Sequence, residues 1–389
     1  MNKMHIFIYL DSAGWEILNK NNFLPDILRY RYQVRSQLGH SVNSLSTVLT
    51  GEPPNVHKHL GCYYYSQQRS LSERAGMLLH YLPNGETSKA HNELIAGWCR
   101  SFRGFSGHFD HLAMSPARLR FFDYAGKQNI FDRGGIQPVK TILDHLHEKN
   151  IPYMISDWFK SEQENLHEML NHIKNRSVQF CLLFMSGMDH LLHHAPNDSR
   201  KITERLKHYE QQIRNIIAEA HSRYDQCSLS VISGHGITPL KASMDIKNRI
   251  SKLGLKFGKD YVAFYDPTMV RFWYLDPKSK SIINELLHSI PHARLLTPDE
   301  MRRYNINFAD NMYGETVLLM EPGYQVEPND HFRSSLPGMH GYAPEHKDSF
   351  GAFLSTHQPS ATPTWIGDFY HIMRGAVNDC NPENILQSA

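Results

Sequence analysis

Short apolar runs alternate with helix-like patterns along this chain, and that alternation restricts the fold more than any other feature. The runs are rich in Ile, Leu, Phe, Met and Val, and polar or turn-forming residues bound each of them, as is typical of buried strands. They lie at residues 5–10, 152–155, 178–185 and 228–233. The intervening segments 138–149 and 199–223 have the spacing of amphipathic helices. This order predicts an α/β fold with a doubly wound, largely parallel central sheet.

Two regions depart from the alternation, at about residues 61–124 and 244–330. The first is rich in Tyr, Ser, His and Arg and has weak periodicity, and the second also lacks a simple strand–helix order. We interpret both as insertions that form a cap over one edge of the sheet. The expected organisation is therefore a single domain over residues 1–389 with two cap insertions.

The charge balance and the apolar runs narrow the possible partners. Lys and Arg number 41 and Asp and Glu 39, a net charge of +2, so there is no electrostatic case for nucleic acid as a partner. No run approaches the length of about 18 apolar residues that a membrane span needs. We interpret the first residues as a strand and not as a signal peptide, which predicts a cytoplasmic protein. The five cysteines form no CxxC pair, which favours reduced thiols.

Polar residues follow three of the predicted strands. Asp11 follows the first strand, Asp189 and His193 follow the third, and His235 follows the fourth. Ligands of open α/β sheets bind at the carboxyl ends of the strands, so these side chains are expected at one edge. Taken singly, Asp11 could be a helix N-cap and His235 a turn residue. Together, carboxylate and imidazole suit zinc, manganese or iron.

A candidate nucleophile precedes another helix-compatible stretch. Ser41 follows Gly39 and His40, and the stretch ends at Thr50 and Gly51. A hydroxyl at a helix N-terminus lies in a positive field, which favours an alkoxide and a bound phosphate. Ser41 could also be a simple N-cap, and Ser44 and Ser46 compete for the role of nucleophile.

These motifs, in this order, resemble the alkaline phosphatase superfamily, in particular its type I phosphodiesterase / nucleotide pyrophosphatase branch. The resemblance extends over about residues 5–355. It rests on Asp11, on Ser41 nine residues before the segment Thr50–His57, on Asp189 with His193, on Gly234-His235-Gly236, and on His340-Gly341-Tyr342. The segments 121–124 and 266–273 also resemble a bacterial subgroup of this superfamily.

The resemblance implies two divalent metal sites, occupied by zinc or by manganese or iron. One would use Asp189, His193 and His340. The other would use Asp11, the Ser41 oxygen and His235, together with an Asp that is replaced here by Gly234. It also implies that a metal lowers the pKa of Ser41, which attacks phosphorus without a histidine base and forms a phosphoseryl intermediate. The expected activity is hydrolysis of a small-molecule phosphoester, as a phosphodiesterase or phosphatase.

Other functions remain open at this stage. Gly234 would weaken the second metal site, so one alternative is occupancy by a single metal and another is a non-catalytic relative that keeps the fold. A third alternative is a phosphoryl-group transferase of glycan or secondary-metabolite assembly. A sulfatase is disfavoured, because the nearest C/S-x-P-x-R-like stretch, residues 114–118, begins with Met114. The predicted substrate contacts are Arg271, Trp273 and Tyr342, and the oligomeric state is not predicted.

Overall fold

The computed structural model describes residues 2–66, 105–107, 114, 116–157, 159–332 and 334–380. The strands, in chain order, are β1 (Lys3–Leu10), β2 (Tyr30–Val34), β3 (Tyr63–Tyr65), β4 (Phe122–Tyr124), β5 (Tyr153–Ile155), β6 (Phe180–Met185), β7 (Gln226–Ser233), β8 (Thr238–Pro239), β9 (Ala242–Met244), β10 (Tyr261–Tyr265), β11 (Met269–Tyr274), β12 (Ala293–Leu295), β13 (Thr316–Met320), β14 (Tyr324–Val326), β15 (Gly338–Met339) and β16 (Gly351–Ser355).

The helices are α1 (Trp15–Lys20), α2 (Ser41–Thr50), α3 (Pro54–His57), α4 (Pro116–Leu119), α5 (Ile142–Glu148), α6 (Glu162–Lys174), α7 (Gly187–His194), α8 (Ser199–Arg223), α9 (Ile246–Ser251), α10 (Pro277–His288), α11 (Pro298–Arg303) and α12 (Asp368–Asp379). A short 3-10 helix spans Lys347–Ser349.

The central sheet has six strands in the order β2-β16-β7-β1-β6-β5. Strand β1 pairs in parallel with both β6 and β7, and only β16 runs against its neighbours. Because successive side chains of β1 point to opposite faces, Ile6, Ile8 and Leu10 enter one apolar core, while Phe7 and Tyr9 enter another. Helices cover both faces, so the prediction of a doubly wound, largely parallel α/β sheet is confirmed.

Local sequence explains where the predicted helices begin. Helix α8 has the predicted bounds, and the Asp198 side chain accepts a hydrogen bond from the Lys201 amide at its start. The helix predicted over residues 138–149 is shorter, because Thr141 and Asp144 form a capping box that starts α5 at Ile142. Residues 138–140, which precede Thr141, therefore form a mostly exposed approach to the helix.

Each region predicted as an insertion begins and ends at paired strands. Strands β3 and β4 pair antiparallel near the two ends of the first region, most of which lies outside the described residues. Strands β9 and β14 lie near the two ends of the second region and pair with each other in parallel. Between them, β10-β11-β13-β12 form a separate antiparallel sheet with its own apolar core. The expectation that both regions cap the central sheet stays a prediction.

Two further expectations concern the membrane and the thiols. In the part of the chain that the structure describes, no helix is both long and apolar enough to cross a bilayer. Among the described cysteines, Cys62, Cys181, Cys227 and Cys380 are buried and form no disulfide. Cys99 lies outside the described residues.

Candidate active site

Three neighbouring strands bring polar side chains to one edge of the central sheet. Strand β1 lies between β6 and β7, and the three are parallel, so their carboxyl ends meet at the same edge. Asp11 directly follows β1, Asp189 lies in the first turn of α7 after β6, and His235 follows β7. The structure thus places these predicted residues together, as the strand order requires.

Ser41 begins helix α2 and faces two of the predicted ligands. Its Oγ lies 3.1 Å from His235 Nε2 and 3.4 Å from His340 Nε2. The other candidate serines, Ser44 and Ser46, are buried within the same helix, and the Ser46 hydroxyl contacts the His59 ring. The geometry therefore favours Ser41 over both alternatives.

The first predicted metal set is assembled. Asp189 Oδ1 lies 3.4 Å from His193 Nε2 and 3.9 Å from His340 Nε2, and the three donor atoms lie within 4.8 Å of one another. His193 Nδ1 is 2.8 Å from the Gly338 carbonyl oxygen. A carbonyl only accepts, so Nδ1 carries a hydrogen, and Nε2, which faces Asp189, is the nitrogen that could bind a metal. One carboxylate and two imidazoles so arranged fit a divalent transition metal.

The second predicted set contains Asp11, His235 and Ser41. His235 Nε2 is 3.5 Å from Asp11 Oδ1, an oxygen that is buried without a hydrogen-bond partner. His235 Nδ1 is 3.2 Å from the Gly236 carbonyl oxygen, so the lone pair is on Nε2. A buried carboxylate oxygen and an imidazole lone pair that face each other fit a cation, which would satisfy both.

The Tyr9 hydroxyl occupies the space beside Gly234, where the family resemblance implies a further carboxylate. A Cβ added at Gly234 would lie 2.4 Å from the Tyr9 hydroxyl oxygen and 3.1 Å from the Ser44 Cβ. Tyr9 is only 1% exposed, so the ring has no free space into which to turn. The second set is therefore left with one carboxylate, one imidazole and one hydroxyl.

Burial sets the charge of the site. It lowers the pKa of His235 to about 4 and that of His340 well below its usual range, so both rings are neutral at pH 7. Burial and the charge of Asp189 raise the pKa of Asp11. Burial also opposes ionisation of Asp189, but the hydrogen bond and charge of His193 outweigh it and lower its pKa. Neutral imidazoles are the form that binds metals, and two close carboxylates favour a cation between them.

Ser12 is a contact that sequence reasoning missed. Its hydroxyl donates to Asp189 Oδ1 at 2.5 Å, and its Oγ is 3.4 Å from His235 Nδ1. The residue has a positive φ of 59°, which turns the chain sharply after Asp11. In the sequence, the only indication of this contact was that Ser12 directly follows the candidate ligand Asp11. Ser12 joins the two predicted sets and helps to fix the Asp189 carboxylate.

A second missed group lies beside Ser41. His40 Nε2 and His331 Nε2 both face Asp266 Oδ1, at 3.4 Å and 2.8 Å, and Arg271 Nε donates to Asp266 Oδ2 at 2.7 Å. The only sequence signal was that His40 precedes Ser41. Asp266 and His331 are 65 positions apart, and nothing in the sequence indicated that they meet.

The predicted substrate contacts are interior residues. Arg271, Trp273 and Tyr342 are 1%, 2% and 1% exposed. Arg271 pairs with Asp266, Trp273 Nε1 donates to the Asn311 carbonyl at 2.6 Å, and Tyr342 packs in the core of the second sheet. Since none of the three presents a surface to a ligand, we do not carry them into the proposed site.

A cavity of about 680 Å³ opens elsewhere, at the amino ends of β1 and β7. It is lined by residues such as His5, Ser228 and Asp379, whereas Ser41 and the metal sets lie at the carboxyl ends of these strands. Size alone does not make it the reactive site, because the nucleophile and the ligand groups are elsewhere.

The sequence profile of the type I phosphodiesterase / nucleotide pyrophosphatase family matches residues 6–343. This chain belongs to that family. Among curated protein sequences, none matches it. Solved structures of murine and human ectonucleotide pyrophosphatase/phosphodiesterase 5 share its fold, each with a TM-score of 0.69 and 12% sequence identity over 97% of this chain and 95% of theirs.

A third solved structure, of an inactive variant of the murine protein in complex with AMP, matches with the same TM-score, identity and coverage. At 12% identity the likeness shows the fold alone. Membership of the phosphodiesterase family rests on the profile match over nearly the whole chain. The motifs that suggested this family lie within the matched range, and the structure brings Asp11, Asp189, His193, His235 and His340 into one site with Ser41.

Proposed function

We propose that this phosphodiesterase-family protein is a metal-dependent hydrolase of small-molecule phosphoesters, with Ser41 as the nucleophile. One observation carries the proposal: the Ser41 hydroxyl lies 3.1 Å from His235 and 3.4 Å from His340, at the edge that also holds Asp11 and Asp189. A hydroxyl that lies between neutral imidazoles and carboxylates is suited to attack phosphorus when these groups hold a divalent cation.

The residues of the chain contribute in distinct ways. His235 Nε2 has a lone pair that faces both Ser41 Oγ and Asp11 Oδ1, so with Asp11 it could hold a divalent metal beside the hydroxyl. The N-terminus of α2 adds a positive field where the phosphoryl group would lie. A bound divalent metal, zinc being the first candidate, would supply positive charge for the phosphoryl oxygens and lower the pKa of the Ser41 hydroxyl.

The proposed reaction has two displacements. Ser41 Oγ forms a bond to phosphorus as the bond to the leaving oxygen breaks, which gives a phosphoseryl or substituted phosphoseryl enzyme. Water then forms the new bond to phosphorus and Ser41 leaves as the hydroxyl. The AMP complex of the murine fold relative supports nucleotides as the first substrates to test.

A non-catalytic role is the second candidate, and Tyr9 favours it. Its hydroxyl fills the space beside Gly234, so the second set has only one carboxylate. Fewer negative ligands weaken the binding of a divalent cation. If the remaining groups hold no metal at Asp11 and His235, Ser41 would lack activation and the protein would bind phosphoesters without cleaving them.

Substrate turnover separates the two candidates. We expect zinc-dependent hydrolysis of bis-p-nitrophenyl phosphate or p-nitrophenyl phosphate by the wild-type protein, lost after chelation. Ser41→Ala should lower kcat by at least about a thousandfold because the nucleophile is gone. Ser44→Ala, which removes a buried hydroxyl from the same helix, is the matched control and should retain turnover. Equal rates in wild type and Ser41→Ala would exclude the proposed nucleophile.

A further inference from the structure

The residues His40, Asp266 and His331 form a compact cluster beside Ser41, outside both metal sets of the proposed function. The cluster contains two imidazoles and one carboxylate, the same three groups as the set of Asp189, His193 and His340. Its donor atoms likewise lie within 4.8 Å of one another.

The two groups are similar in geometry, although not identical. His40 Nε2 and His331 Nε2 lie 3.4 Å and 2.8 Å from Asp266 Oδ1, whereas His193 Nε2 and His340 Nε2 lie 3.4 Å and 3.9 Å from Asp189 Oδ1. Zinc–ligand bonds of about 2.1 Å place two tetrahedral ligands about 3.4 Å apart. The ring centroids of His40 and His331 are 5.1 Å apart at 48°, and those of His193 and His340 are 5.2 Å apart at 50°.

We propose that His40, Asp266 and His331 bind a further divalent transition metal next to the set of Asp189, His193 and His340. Two imidazoles and one carboxylate, with open positions for water or substrate, are a ligand set that suits zinc or iron. The cluster adjoins the first set, because the His40 and His340 rings lie 5.9 Å apart.

Arg271 is the feature that argues against a cation, since it already neutralises Asp266. Its Nε donates to Oδ2 at 2.7 Å, while both imidazoles face Oδ1. The guanidinium therefore holds one carboxylate oxygen and leaves the other directed at the two rings, as outer partners of ligating carboxylates do. It also removes a net negative charge, so the metal should bind here more weakly than at Asp189.

Metal stoichiometry tests this site independently of catalysis. Chelator-treated protein is titrated with Co²⁺ while the visible absorption is followed, and bound Zn²⁺ is counted by mass spectrometry after gel filtration. We expect His331→Gln to lose one equivalent, the more weakly bound one, and His193→Gln to lose the more tightly bound one. His190→Gln removes an exposed histidine that follows Asp189 in the chain and should match the wild type.

The choice of variant keeps the result interpretable. Replacing Asp266 would leave buried Arg271 without its partner and endanger the fold, whereas His331 is partly exposed. Circular dichroism and the thermal midpoint confirm that His331→Gln is folded. A folded His331→Gln that binds as much metal as the wild type, with the same Co²⁺ spectrum, overturns the proposal. Catalytic activity is not measured in this experiment, so a result that overturns the metal site would not bear on the proposed role of Ser41.

Discussion

At the scale of single residues, two glycines and a tyrosine shape the site. Gly234 and Gly236 flank His235, and a Cβ at either would lie within 2.6 Å of another atom, the Tyr9 hydroxyl or the Asp348 carbonyl oxygen. The absence of a Cβ at both glycines therefore lets the backbone come close enough for His235 to contact Ser41. An Asp at position 234, as the family resemblance implies, would clash with the Tyr9 hydroxyl unless Tyr9 also changed.

A double-mutant cycle tests that contact. Gly234→Ala should destabilise the fold by about 1–3 kcal/mol through overpacking. Tyr9→Phe removes the clashing oxygen, so the double variant should recover about 1 kcal/mol or more of that loss. Urea unfolding at a fixed zinc concentration measures both. Gly375→Ala, where a Cβ meets nothing within 4 Å, is the control and should cost nothing. Strict additivity of the Gly234 and Tyr9 changes would contradict the contact.

At the scale of elements, helix α2 shows how packing overrides local preference. Its sequence, SVNSLSTVLT, is rich in serine and β-branched residues, which are mediocre helix formers. Every residue from Asn43 to Thr50 is buried. The Ser46 and Thr47 hydroxyls contact the rings of His59 and His57, both at 3.0 Å. Tertiary contacts thus hold the helix that presents Ser41.

Those histidines make the stability of the fold depend on pH. Burial lowers the pKa of His59 from 6.5 to about 4, so between these values the unfolded chain binds more protons than the folded protein. The stability is complete above pH 6.5 and is lost as the pH falls towards 4. The loss from this one residue is roughly 2 kcal/mol at pH 5.

Urea midpoints between pH 7.5 and 5 check this expectation. His59→Gln should be less stable at pH 7.5, since it loses the contact with Ser46, but its stability should fall less steeply with acid than that of the wild type. His190→Gln, at an exposed position, should follow the wild-type slope. Parallel curves for His59→Gln and wild type would mean that His59 is not held neutral.

At the scale of the whole molecule, a buried ion pair ties the end of the first inserted region to the second sheet. Arg118 donates from one nitrogen to Asp330 Oδ2 at 3.0 Å and to the Ala263 carbonyl at 2.9 Å. Asp330 is fully buried and also accepts from the Tyr265 amide at 2.8 Å. The carboxylate therefore links two regions that are distant in sequence.

Removing that carboxylate should be costly. Asp330→Ala leaves Arg118 with an uncompensated charge and the Tyr265 amide without its acceptor, which predicts a loss of about 3–5 kcal/mol in the free energy of unfolding. Asp299→Ala breaks an exposed pair with Arg302 and should change it by at most about 1 kcal/mol. Similar urea midpoints for the two variants would show that the Arg118 pair does not link the regions.

The sequence predicted those parts of the molecule that follow from local pattern and chain order. Helix α8, the parallel sheet and the grouping of Asp11, Asp189 and His235 at strand ends are of this kind. Residues paired across long separations, such as Asp266 with His331, gave no local signal. Arg271 was interpreted as a substrate contact, because a sequence does not distinguish an arginine in a buried ion pair from one that faces a ligand.

Direct capture of the covalent intermediate tests the central claim most sharply. Zinc-loaded protein is mixed with a phosphoester substrate, quenched in acid within the first turnover and digested, and the peptide that contains Ser41 is weighed by mass spectrometry. The account predicts a phosphoryl or substituted phosphoryl group on Ser41, absent after chelation and in Ser41→Ala. Phosphorylation of a different residue, together with wild-type turnover by Ser41→Ala, would contradict it.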